Sequence, residues 1–334
     1  MSLPENRLTV RSEADLVAAL PYLLGFRPDD GSVVVMVNRN GRIVFTARAD
    51  LPAPGAPVHQ LLDLAAHLVP VVRRQQPITD VILTGYGNPD HVDAALRTIG
   101  EAVTASGVTV REMLRVTGTR VVNLTCEKPA CCPPQGMPFD PTASLVAVQA
   151  TAAGLVALPD RAAVAARFAP VAGAARDAVQ RATDDALAWL EAVTAAGTNA
   201  VDAVGAQTVR DALRQPDKRL SDGEAAWLTV LLTRTSVRDL AVDLTEPTDQ
   251  HVTFWAEVTR RAHDTLVPAP ATLLALTAWR CGDGVLATMA AEHALQADPR
   301  YHLAHLLRQA LHAGLPPSTF EQATGSTRTN PTTP

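Results

Sequence analysis

Three of the four cysteines of the chain lie within seven residues of one another, in a segment rich in proline. They are Cys126, Cys131 and Cys132, whereas Cys281 stands alone downstream. Thiols at this spacing can form a disulfide, bind a metal ion or act as reactive groups. The spacing does not choose among these chemistries, so we take the three clustered cysteines as candidate metal or redox residues.

A metal site in this segment would need a fourth ligand from elsewhere in the chain. A structural zinc ion takes four ligands, usually from two pairs, and the segment supplies three sulfurs, two of them on adjacent residues. His59, His67 or Cys281 would have to provide the fourth ligand. We therefore predict no cofactor and keep zinc as an alternative.

A redox role is the other chemical alternative. A short turning loop is compatible with a disulfide from Cys126 to Cys131 or Cys132, although a reducing cytoplasm opposes it. The charge of Lys128 would favour the thiolate form of a neighbouring cysteine. The simplest interpretation is a structural turn with packed thiols. In each case we expect Cys126 to lie near Cys131 or Cys132.

Two further patterns resemble ligand sites only in part. The turn Gly85–Gly87 follows a strand, but a dinucleotide-binding fingerprint would place a third glycine where Asp90 stands. His302 and His305 share a helix face, but no glutamate lies beside them to complete a metal site. The sequence favours an ordinary strand-to-helix turn and a solvated helix face.

Common catalytic motifs are absent from the sequence. The only lysines, Lys128 and Lys218, do not follow a glycine, which excludes a P-loop. The sequence also lacks the His-Glu-x-x-His, Gly-x-Ser-x-Gly and Ser-x-x-Lys motifs. Catalytic residues are therefore unknown, no cofactor-binding residue is predicted, and the balance favours a protein that is not an enzyme.

Composition and charge narrow the class of protein. Of 334 residues 47% are hydrophobic and 19% charged, which is typical of a folded globular protein. A net charge of −5 argues against a generic nucleic-acid binder. No apolar signal core or membrane-spanning run is present. We expect a cytoplasmic protein with no nucleic-acid or membrane partner.

The elements that must position the cysteines change in character along the chain. Residues 1–125 alternate between strands and helices, which predicts a mixed-sheet α/β domain. Within it, Ser12 caps a helix that ends at Leu24, and Asn40-Gly41 indicates a tight β-hairpin. Residues 126–142 form a connecting loop rich in cysteine and proline.

The remainder is predicted to be helical. Residues 143–321 show helical periodicity without a convincing strand, and residues 322–334 have the composition of a disordered tail. Small residues from Ala278 to Ala304 follow the spacing of a tetratricopeptide unit. We therefore predict an all-α C-terminal domain that ends in a tetratricopeptide-like helical hairpin, with Ala287, Ala291 and Ala304 buried at a close helix contact.

Four segments together resemble a known protein family. They are Pro21–Phe26, Cys131–Pro138, Ala278–Gly284 and Leu295–Pro299. Their order and spacing are similar to those of an actinobacterial family described as domain of unknown function 4192. The resemblance implies a soluble actinobacterial protein and transfers no activity.

The function predicted from these observations is an interaction or regulatory protein of the cytoplasm, without enzymatic activity and with an unknown protein partner. One alternative is an enzyme or small-ligand binder that uses the α/β domain, with Arg27, Arg115 or Arg120 facing a phosphate or carboxylate. The other alternative is a thiol-based redox or metal-responsive protein that uses the clustered cysteines.

Overall fold

The chain divides into two compact units. The computed structural model describes residues 10–128, 131–141, 144–195 and 198–320. The first unit comprises Met1–Ala163 with Ala313–Leu315, and the second comprises Val164–His312 with Pro316–Pro334. The predicted combination of a mixed α/β part with a helical part is confirmed at this level. The tail predicted at residues 322–334 lies outside the described residues.

The first unit contains six strands and five helices in the part of the chain that is described. In chain order they are α1 (Glu13–Leu24), β1 (Ser32–Arg39), β2 (Arg42–Asp50), α2 (Val58–Arg73), β3 (Asp80–Tyr86), α3 (Pro89–Ala105), β4 (Val110–Thr117), β5 (Arg120–Asn123), β6 (Met137–Pro138), α4 (Leu145–Ala152) and α5 (Arg161–Ala166), the last of which crosses the unit boundary.

The strands form one mixed sheet in the order β2-β1-β3-β4-β5-β6. β3 and β4 pair in parallel through the crossover helix α3, and the other neighbours are antiparallel. β1 and β2 form the predicted hairpin, whose turn residues Asn40 and Gly41 have φ angles of 52° and 77°. Two positive φ angles are what a type I′ turn requires.

Both faces of the sheet are buried. Side chains alternate between the faces of a strand, and Val33, Val35 and Val37 of β1 pack in one core with residues of α2 and α3. The intervening residues Val34 and Met36 are also fully buried, on the opposite face. α1 contacts β2, β5 and α4. Successive residues of the central strands are therefore hydrophobic, without alternation with polar residues.

A close helix-to-strand contact explains one glycine of the Gly85–Gly87 turn. A Cβ added to Gly85 would lie 2.3 Å from Cγ1 of Val92 in α3. Asn88 caps α3 by accepting a hydrogen bond from the backbone N–H of Asp90 at 2.9 Å. The segment is thus an ordinary strand-to-helix turn, as the sequence favours.

The second unit contains helices joined by loops, and no strand among the residues described for it. Its elements are α6 (Ala174–Ala195), α7 (Thr198–Arg214), α8 (Asp222–Leu231), α9 (Thr235–Leu244), α10 (Asp249–Arg260), a 3-10 turn (Asp264–Leu266), α11 (Pro268–Arg280), α12 (Gly284–Ala297) and α13 (His302–His312).

α11 is the central helix of the second unit. Every residue from Pro268 to Trp279 is buried, and α11 packs against α10, α12 and α13. The prediction that Ala287, Ala291 and Ala304 are buried is confirmed, since each has 0% exposure. Within the described part of the chain, no helix combines the length and apolar character needed to cross a bilayer.

Candidate metal centre

The cysteine segment begins at a turn that ends β5. The side-chain Oδ1 of Asn123 accepts hydrogen bonds from the backbone N–H of Thr125 at 2.9 Å and from its hydroxyl at 2.6 Å. An asparagine that binds the backbone two residues ahead forms an Asx turn. The chain therefore leaves the sheet directly before Cys126.

A second turn brings the later cysteines back toward the first. The backbone carbonyl of Lys128 accepts hydrogen bonds from the N–H groups of Cys131 at 3.2 Å and Cys132 at 2.8 Å. The chain then returns to the sheet as β6, where Met137 pairs with Val121. This short strand lies inside the stretch that the sequence predicts to be a loop.

The turn into β6 requires glycine at position 136. Gly136 has a φ of +79°, and a Cβ there would lie 2.9 Å from the backbone oxygen of Val121. The carbonyl of Gly136 also accepts a hydrogen bond from the guanidinium of Arg120 at 2.9 Å. Both ends of the cysteine segment are therefore tied to β5.

The three sulfur atoms of the cysteine segment form one cluster. Sγ of Cys126 lies 3.4 Å from Sγ of Cys131, and Sγ of Cys131 lies 3.8 Å from Sγ of Cys132. All three sulfurs lie within 4.8 Å of one another, and all are free thiols. The prediction that Cys126 lies near Cys131 or Cys132 is confirmed.

These separations match those of sulfurs around a single metal ion. A tetrahedral zinc ion with Zn–S bonds of about 2.3 Å holds its sulfurs about 3.8 Å apart. A disulfide, in contrast, has an S–S distance of about 2.05 Å. The adjacent residues Cys131 and Cys132 thus point their sulfurs at one centre, which the sequence argument considered unfavourable.

Cys126 and Cys132 differ in acidity because they are hydrogen-bonded to each other. Hydrogen bonds from Cys132, from the Lys128 backbone and from Cys131 lower the pKa of Cys126. The same contact with Cys126, followed by burial, raises the pKa of Cys132 to about 12. The charge of Lys128, on which the sequence argument relied, makes the smallest contribution to the pKa of Cys126.

A small cleft opens beside two of the sulfurs. Its lining residues are Glu13, Val121, Val122, Asn123, Cys131, Cys132, Pro133 and Met137. Glu13 belongs to the first turn of α1, and its Oε1 accepts a hydrogen bond from Nδ2 of Asn123 at 3.3 Å. Sequence reasoning missed Glu13, because it precedes Asn123 by 110 residues.

Two of the arginines considered for ligand binding are engaged within the protein. Arg115 forms an ion pair with Asp93 of α3 at 2.5 Å, and its side chain is only 11% exposed. Arg120 donates to backbone carbonyls of the cysteine segment. Arg27 is exposed and contacts Leu158 through its backbone.

The remaining candidate ligands lie outside the cluster. Cys281 is exposed at the end of α11 in the second unit. His305 approaches the backbone carbonyl of Pro299 with its Nε2 at 2.6 Å, while His302 is exposed. Among the described residues, the metal-ligating cluster contains Cys126, Cys131 and Cys132 and no histidine.

Comparison with known proteins gives one match. A family model described as a domain of unknown function (DUF4192) matches residues 14–318, which is most of the chain. No curated protein matches the chain, and no solved structure matches it.

Proposed function

The chain belongs to the DUF4192 family of unknown function, and we propose that it is a metal-responsive regulatory protein. Cys126, Cys131 and Cys132 bind a thiophilic divalent ion, with Zn²⁺ as the first candidate. The single observation that carries this proposal is the convergence of three free sulfurs within 4.8 Å of one another.

The donor set supports a soft or borderline ion. Thiolate sulfur selects zinc and other thiophilic metals over magnesium and calcium, which prefer oxygen ligands. The distances of 3.4 and 3.8 Å between successive sulfurs suit a metal-sulfur cluster without large rearrangement of the chain. Three sulfurs alone do not complete the four ligands of a structural zinc site.

The exposure of the cluster favours a responsive role over a purely structural one. Cys131 is exposed, and Cys126 and Cys132 are partly exposed. An ion held at such a site can exchange with solvent ligands, whereas closed structural sites are buried by their own four ligands. Metal binding would hold the three sulfurs together, and a partner would distinguish the metal-bound cluster from the three free thiols.

Metal binding can be tested with Co²⁺, whose visible spectrum reports on sulfur ligands. The reduced protein is titrated with Co²⁺ and then with Zn²⁺ in competition. We expect one ion per chain and sulfur-to-cobalt charge-transfer absorption. Cys131→Ser should lower the affinity more than about 100-fold, since loss of a ligand exceeds the about 10–100-fold cost of losing an outer-shell partner.

Cys281→Ser is the matched control, because it removes the fourth cysteine, which lies outside the cluster. This variant should bind Co²⁺ with the affinity of the unmodified protein. The proposal is wrong if the reduced protein binds no stoichiometric Co²⁺, or if both serine variants lose affinity equally.

A thiol redox switch is the second candidate, favoured by the 3.4 Å separation of the Cys126 and Cys131 sulfurs. A peroxide would oxidise the two thiols to a disulfide, and the two protons and two electrons would leave with the peroxide as water. In that case the isolated protein would carry a mass deficit of two hydrogens and would bind Co²⁺ only after reduction.

We further propose that the last helices act as a tetratricopeptide-like hairpin that presents a surface to a protein partner. The buried small residues Ala287, Ala291 and Ala304 support this interpretation, because small side chains let helices approach closely. We also retain a helical domain over residues 143–321, joined through residues 126–142 to an α/β domain, and a reducing cytoplasmic location.

A further inference from the structure

The cleft beside the cysteine cluster contains one ionisable side chain other than the cysteines, that of Glu13. Most of the other lining residues are apolar, and the amide of Asn123 is engaged. Its oxygen accepts two hydrogen bonds from Thr125, and its nitrogen donates to Glu13. The carboxylate of Glu13 is not one of the atoms that lie within 4.8 Å of one another, but it lines the same cleft as Cys131 and Cys132. It is therefore the oxygen donor best placed to turn toward an ion held by those sulfurs.

We propose that Glu13 supplies the fourth ligand of the metal centre, which gives a site of three sulfurs and one carboxylate oxygen. This inference rests on the proposed metal-binding function. Carboxylate oxygen is a normal zinc ligand, with a Zn–O distance of about 2.0–2.2 Å. It completes the four ligands that Cys126, Cys131 and Cys132 alone do not supply.

The hydrogen bond from Asn123 has the form expected of an outer-shell contact. Carboxylates that bind metal ions are commonly held by a further hydrogen bond that orients them. Nδ2 of Asn123 donates to Oε1 of Glu13 at 3.3 Å, so Oε2 is the oxygen that would bind the ion. Asn123 thus both starts the turn toward Cys126 and orients the carboxylate that faces the cluster.

The consequence is a link between two distant parts of the sequence. Glu13 is the first residue of α1, and the cysteines lie on the segment between β5 and β6. An ion bound by both would fasten the first turn of α1 to that segment. Metal occupancy would then strengthen the attachment of α1 to the cysteine segment.

The test compares Glu13→Gln with Glu127→Gln in the Co²⁺-loaded protein. Glu127 adjoins Cys126 in sequence and is exposed, so its substitution removes the same charge near the cluster without removing a cleft residue. We expect Glu13→Gln to keep the three-sulfur charge-transfer intensity and to shift the visible d–d bands. Co²⁺ affinity should fall more than about 100-fold, since the loss of a ligand exceeds the cost of losing an outer-shell partner. Glu127→Gln should leave both the bands and the affinity unchanged.

Failure of this inference is distinguishable from failure of the metal site. If the unmodified protein binds Co²⁺ and Glu13→Gln leaves its affinity and d–d bands unchanged, Glu13 is not a ligand and the three-cysteine site stands. Equal losses in both glutamine variants would mean that charge alone matters, which also overturns the assignment of Glu13. If the unmodified protein binds no Co²⁺, the metal-binding function itself is wrong.

Discussion

His293 is a partly buried residue whose protonation bears on the stability of the second unit. Its ring lies 5.4 Å from the ring of Phe168, between centroids, and its Nε2 has no hydrogen-bond partner. Burial lowers the pKa of His293 from its ordinary value of 6.5, while Gln296 and Asp264 act in the opposite direction. The neutral ring is therefore the form that the fold prefers.

We predict that acid destabilises the second unit through His293. A histidine whose pKa is lower in the folded state takes up its proton more readily when unfolded. The free energy of unfolding should therefore fall as the pH drops below about 6.5, and His293→Phe should make this fall shallower. The measurement is urea unfolding at several pH values between 7 and 5.

His302→Gln is the control for this prediction, because it removes an exposed histidine from the same unit. This variant should retain the pH dependence of the unmodified protein. An identical pH slope in His293→Phe and the unmodified protein would show that His293 does not carry the effect.

Some contacts of the candidate site could be predicted from the sequence, and others could not. The proximity of Cys126 to Cys131 follows from a short loop that turns, and it was predictable. The convergence of Cys132 on the same centre depends on hydrogen bonds to the carbonyl of Lys128, which spacing does not contain. Glu13 could not be predicted as a site residue, because only the folded sheet brings α1 beside β5.

At the scale of elements, locally encoded features were predictable. Ser12 accepts a hydrogen bond from the N–H of Asp15 and caps α1, which ends at Leu24 as predicted. The Asn40-Gly41 turn joins β1 to β2. Such signals depend on the backbone preferences of a few adjacent residues, so one sequence suffices to identify them.

Features that depend on distant pairing were not predictable. β6 has only two residues, Met137 and Pro138, and exists because β5 lies beside it. The parallel pairing of β3 with β4 likewise depends on the packing of α3 across the sheet. Neither feature has a local signature, because the partner strand supplies the stabilising hydrogen bonds.

The contact between α11 and α12 provides a prediction at this scale. Ala291 is fully buried in α12, and α11 packs closely along that helix. Ala291→Leu should overpack this contact and lower the free energy of unfolding by about 1–3 kcal/mol. The measurement is the midpoint and slope of chemical unfolding.

Ala297→Leu makes the same chemical change at an exposed position of α12. It should change the free energy of unfolding by less than about 0.5 kcal/mol, as is usual for surface substitutions. If the two variants unfold alike, the close contact at Ala291 does not limit the size of the side chain.

At the scale of the whole molecule, the two units are interleaved in sequence. Ala313–Leu315 belongs to the first unit although it follows nearly all of the second. The carbonyls of Ala313 and Gly314 accept hydrogen bonds from Arg74 and Gln75 at the end of α2. A domain boundary predicted from a change in hydrophobic periodicity cannot detect that three residues so late in the chain belong to the first unit.

Each unit also has hydrophobic clusters of its own. In the first unit, valines of the sheet pack with α2 and α3. In the second unit, one cluster includes Ala271, Ala294 and Ala304. A part of a chain that has its own core can unfold and refold independently of the rest. The proposed metal centre lies wholly within the first unit.

We therefore predict that metal binding stabilises the first unit selectively. A ligand at 100 times its Kd adds about 2.7 kcal/mol to the stability of the state that binds it. In hydrogen-exchange experiments with and without Zn²⁺, the amides of β5, the amide of Met137 in β6 and the amides of the first turn of α1 should gain protection. Amides of α11 should not, and Cys131→Ser should abolish the gain. Equal gains in β5 and α11 would mean that the two units unfold together, whereas no gain in β5 would contradict coupling of the ion to the fold.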